Sequence, residues 1–102
     1  MAPSSLLKDE TFLFKDGLFE ARVKIFEVSK SLKFPDGIKV QCVLIDMENK
    51  IPILLLDNHE PYGYHLHTRL PEDKNFRILL SIRFYTEAVN FFLEEAQKVV
   101  EK

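Results

Sequence analysis

Apolar and polar positions alternate along much of this chain. From Leu18 to Val28, Phe19, Ala21, Val23 and Ile25 fall on one face and Glu20, Arg22 and Lys24 on the other, the period of a half-buried strand. The apolar phase shifts at Ile25–Phe26, which predicts a bulge there or a strand end covered on both sides. Alternation resumes over Ile38–Met47, with Ile38, Val40, Cys42 and Leu44 against Lys39, Gln41, Val43 and Ile45. Ile51 to Leu56 is almost continuously apolar and reads as a central strand covered on both faces, with Pro52 near its start, where a missing N–H is tolerated. Tyr62, Tyr64 and Leu66 then alternate with Gly63, His65 and His67. Phe76 to Phe84 has the cleanest alternation of all, Phe76, Ile78, Leu80, Ile82 and Phe84 against Arg77, Leu79, Ser81 and Arg83.

Turn chemistry separates these runs. Lys15-Asp16-Gly17 and Pro35-Asp36-Gly37 are turn signals, because Asp-Gly supports positive backbone φ, and Thr68 to Asn75 reads as a solvated loop. After Thr86, expected as a helix N-cap with Glu87 in the first turn, the period changes. Val89, Phe92, Leu93, Ala96, Val99 and Val100 recur at three- and four-residue spacings, the stripe of an amphipathic helix. Phe91 falls off that stripe, and its exposure would mark a docking surface. The expected fold is α+β: five to six mostly antiparallel, meander-like strands packed against a C-terminal helix. One domain is expected over residues 11–102, after a loose segment 1–10 whose Leu6–Leu7 touches the core.

Composition narrows the function classes. The chain has 102 residues and a net charge of −2, with a pI near 5.9, so no chain-wide basic field attracts nucleic acid and RNA binding would need a local patch. Cys42 is the single cysteine, which excludes an intramolecular disulfide and a Cys-rich zinc cluster and suits a reducing compartment. Its apolar neighbours mark it as inert core. Residues 1–10 lack the pattern of a signal peptide, and no apolar run approaches the roughly 20 residues of a membrane helix. A cytoplasmic protein with no membrane partner is expected.

The chemistry-bearing residues concentrate in Leu55–His67, which holds all three histidines. His65 and His67, two apart on a strand, share a face. With His59 they form a candidate catalytic group, since imidazoles titrating near neutrality divide general-base and general-acid work. Arg69, Arg77 or Arg83 would stabilise a phosphate, and Tyr62 or Tyr64 would stack on a base. From Tyr62 to Thr86 four basic residues face two acidic ones, a mild local excess. This chemistry requires no metal and no cofactor. A second use of the same residues is metal binding, because His-x-His with Asp57 or His59 supplies three N/O ligands and leaves a position open. The third reading is structural: half-exposed sheet histidines in a non-enzymatic binding or regulatory domain.

The run Asp57-Asn58-His59 followed by His65-Leu66-His67, after an apolar strand and before a strand and a C-terminal helix, resembles the TumE-type toxin family of prokaryotic toxin–antitoxin pairs. The likeness extends loosely over Leu18–Val100. It implies a toxin-like protein, with ribonuclease activity at the histidines and with Asp57 and Asn58 at the site. It also implies a protein partner, an antitoxin, or a second copy of the chain. Geometry separates the readings: an open cleft joining His59, His65, His67 and Arg77 favours acid–base chemistry. Buried, fully hydrogen-bonded imidazoles favour a structural role, and nitrogens aimed at one centre favour a metal.

Overall fold

The computed structural model describes residues 5–101. Six strands form one antiparallel sheet in sequence order: β1 (Ser5–Phe14), β2 (Phe19–Glu27), β3 (Ile38–Asp46), β4 (Ile51–Asp57), β5 (His65–His67) and β6 (Ile78–Leu79). One α-helix among the described residues, α1 (Tyr85–Val100), follows and packs on β2, β3 and β4. This is the α+β meander the alternation predicts, and among the described residues no helix is long and apolar enough to cross a membrane.

The alternation of β2 and β3 decides which face is core. Ala21, Val23, Ile25, Val40, Cys42 and Leu44 are fully buried, joined by Leu54, Leu56 and Leu66 from β4 and β5. α1 covers this face with Ala88, Val89, Phe92, Ala96 and Val100. The β1–β2 hairpin turns through Lys15, Asp16 and Gly17, all at positive φ, as the Asp-Gly signal requires. At Gly37 (φ +73°) an added Cβ would lie 3.0 Å from the Val28 carbonyl oxygen. Glycine there lets Val28 N–H reach the Gly37 carbonyl at 2.8 Å and close the β2–β3 loop.

Five details depart from expectation. The segment expected to be loose is strand from Ser5 onward, paired with β2 from Ser5↔Glu27 to Phe14↔Phe19; residues 1–4 lie outside the described residues. Leu6 and Leu7 are 51% and 50% exposed, so neither docks on the core; Leu6 pairs with Phe26, and Leu7 falls at a register shift. The irregularity expected at Ile25–Phe26 lies on the partner strand, where the register slips between Leu6 and Lys8. Phe76–Phe84 contributes only the two residues of β6, because β5 is three residues long and pairs only His65↔Leu79 and Leu66↔Ile78. α1 starts one residue before the expected cap. Phe84 takes the N-cap position without a side-chain hydrogen bond, and its carbonyl accepts Ala88 N–H at 3.1 Å. Phe91 is half-buried against the core, so it does not offer the exposed docking side chain considered above.

Candidate functional site

Strand register assembles the site. In an antiparallel ladder, residues directly opposite one another share a face, and β4 pairs with β5 as Leu55↔His67, Leu56↔Leu66 and Asp57↔His65. Leu56 and Leu66 point to the helix. Asp57, His65 and His67 therefore occupy the opposite face, with Gln41 of β3 next to Asp57 in the same row. The connection from Asp57 to Gly63 then folds back so that His59 and Tyr62 lie against His65. The His59 and His65 rings are 4.8 Å apart, those of Tyr62 and His65 5.5 Å, and those of His65 and His67 5.0 Å, all edge-on.

Asn58 fixes the start of this connection. Its Oδ1 accepts Val40 N–H at 2.9 Å and its Nδ2 donates to the Ile38 carbonyl at 2.8 Å. The side chain therefore ties the connection to β3 and is buried in doing so. Asp57 Oδ1 accepts Asn58 N–H at 2.8 Å, and its Oδ2 lies 3.8 Å from His59 Nε2.

The three histidines differ sharply. His59 is half-buried at the surface end of the cluster, with Nδ1 3.3 Å from the Glu60 carbonyl. His65 is 0% exposed, and its Nδ1 lies 2.7 Å from the Gly63 carbonyl. A carbonyl only accepts, so Nδ1 carries the proton and Nε2 keeps its lone pair. Among the described residues that Nε2 has no partner, nor does Nδ1 of His67, which is 8% exposed. Burial pushes the His65 pKa below its ordinary value, against the Gly63 hydrogen bond and the Asp57 charge, which act the other way. The neutral imidazole is the favoured form.

The cluster is closed above His65, not the open cleft in which two imidazoles would both meet a substrate. Tyr62 forms part of the cover and is itself exposed at the surface. The Arg77 guanidinium stacks 4.0 Å from the centre of its ring, and Arg77 Nε is buried without a partner. One ligand atom from each of Asp57, His59 and His65 lies within 4.8 Å of the others; His67 is outside that set.

The remaining candidates are dispersed. Arg69 is exposed and stacks on Phe76 at 3.7 Å. Tyr64, expected beside Tyr62, turns instead into the core. Burial, then the charge of Asp36, raises its phenol to about 12. No regular strand spans Arg77 and Arg83, because β6 covers only Ile78–Leu79; Arg83 lines a cavity of about 340 Å³ with Asp36, Asn58, Gly63, Tyr64 and Ile82, and none of the three histidines lines it. Cys42 lies on the helix side, its thiol raised to about 12 chiefly by burial. The Gly63 carbonyl, which orients His65, had no signal in side-chain patterns. Compared with family models, curated proteins and solved structures, the chain matches none.

Proposed function

We propose that this chain is the toxin-like component of a prokaryotic toxin–antitoxin pair and that it cleaves RNA at the Asp57–His59–His65 cluster. One observation supports the reading. The fold gathers residues of the TumE-like motif, separated along the chain, into a single cluster beneath Tyr62 and Arg77, with two buried imidazole nitrogens and a guanidinium nitrogen unpartnered. Structural cores rarely leave such groups unsatisfied, and polar groups held that way concentrate at functional sites.

The geometry changes the division of labour expected from the sequence. A scissile phosphate reaches this cluster at His59, its surface end, because His65 and His67 are both buried. Arg77, whose guanidinium stacks on Tyr62 beside the cluster, would offset phosphate charge. The test is induced expression of the wild type, His59→Ala and Asp57→Asn in a bacterial host, following growth and total RNA. Arrest with RNA loss in the wild type, abolished in both variants at equal protein level, is expected. Arrest with intact RNA would sink the nuclease reading, and arrest unchanged in both variants would remove the cluster from it.

A further inference from the structure

His65 is buried in a way that packing does not explain. Its ring is fully enclosed, Nδ1 is committed to the Gly63 carbonyl, and Nε2 is left without a partner among the described residues. Native interiors generally satisfy such an atom. His59 and Asp57 stand beside this ring, one ligand atom from each of the three residues lying within 4.8 Å of the others.

We propose that Asp57, His59 and His65 bind one divalent first-row transition-metal ion, of the class represented by Zn²⁺. Both histidines have Nδ1 turned to a backbone carbonyl, Gly63 at 2.7 Å and Glu60 at 3.3 Å. That arrangement fixes the tautomer and ring direction of metal-ligating histidines and presents Nε2 to the ion. Asp57 is oriented in the same way, its Oδ1 held by Asn58 N–H while Oδ2 faces His59 Nε2. Two imidazole nitrogens and one carboxylate suit zinc or iron, whereas magnesium and calcium select oxygen ligands.

A tetrahedral ion with ligands at about 2.0–2.1 Å sets ligand atoms roughly 3.3 Å apart. The 3.8 Å separation of His59 Nε2 and Asp57 Oδ2, in a set whose ligand atoms lie up to 4.8 Å apart, is therefore wider than a bound ion sets. Both side chains are half-buried, and His59 sits on a connecting loop, so the set contracts from its surface side onto the fixed His65. Three protein ligands leave a position open, the feature that separates catalytic from structural zinc sites. The inference uses the same cluster as the proposed function but does not require RNA as its substrate.

The test is calorimetric titration of untagged, chelator-stripped protein with Zn²⁺, with Co²⁺ as a spectroscopic probe of nitrogen and oxygen ligation. One ion per chain is expected, undisplaced by excess Mg²⁺. Asp57→Asn and His59→Ala, both at half-exposed positions, should keep their circular dichroism and weaken binding by roughly tenfold or more. No uptake, or an affinity unchanged in both variants, would overturn the site. One ion bound by a chain that neither arrests growth nor degrades RNA supports the site and removes the nuclease reading. Arrest with RNA loss by a chain that binds no ion does the reverse.

Discussion

The short β4–β5 ladder shows two different surfaces to its two sides. Toward α1 it presents Leu56 paired with Leu66, closed over by apolar side chains. Away from α1 it presents Asp57 paired with His65 and Leu55 paired with His67, where buried nitrogens lack partners. One backbone thus carries a face that stabilises the fold and a face whose burial works against stability. Buried polar atoms without partners are costly, so the second face is held in place by the first and by the loops that cover it.

The largest effect that would break this comparison lies on the helix side. Phe92 is the largest of the fully buried side chains, and Phe92→Ala should cost about 3–5 kcal/mol through lost burial and the cavity left behind. Urea denaturation would show this as a lower midpoint. A loss under about 1 kcal/mol would mean that α1 is not the keystone of the core. Asn58→Ala should come next, since it leaves the Val40 N–H and the Ile38 carbonyl without their side-chain partner. About 1–3 kcal/mol is expected for buried groups of this kind. Because the same side chain fixes the start of the connection that carries His59, Zn²⁺ affinity should fall with stability. An unchanged urea midpoint would show that the clamp is dispensable.

The contrast between the two faces also explains what the sequence made legible. The core face of β2 and β3 followed directly from period-two alternation, because every second residue from Ala21 to Ile25 and from Val40 to Leu44 is apolar and buried. β1 was harder: Lys8-Asp9-Glu10 reads as solvated chain, yet an edge strand tolerates charges where it meets water. β6 is shorter than its alternation predicts because strand length depends on a partner. The alternation of Phe76–Phe84 continues well beyond the reach of the three-residue β5. In the site, the shared face of His65 and His67 was visible in their spacing, but their burial was not. It comes from the folding back of the Asp57–Gly63 connection and from Tyr62 and Arg77, contacts between segments that no local pattern encodes. The same limit applied to the arginines, since which of Arg69, Arg77 and Arg83 reaches the cluster depends on irregular backbone.

The smallest expected effect separates the two histidines that look alike in the sequence. His65 and His67 share a face and both are buried, yet only His65 has a nitrogen tied to the backbone and a place among the three convergent ligands. For His67→Leu, two terms oppose. Removing a buried, unpartnered imidazole nitrogen relieves a desolvation cost of about 1–3 kcal/mol, while losing the edge-on contact with His65 removes about 0.5–1.5 kcal/mol. The net change should lie within about 1 kcal/mol of zero in urea denaturation, and one Zn²⁺ should still bind with little loss of affinity. A destabilisation above about 2 kcal/mol would give Nδ1 of His67 a partner, such as an ordered water, and make the residue structural. Loss of Zn²⁺ binding as large as in His59→Ala would instead place His67 among the ligands and redraw the site around the His-x-His pair.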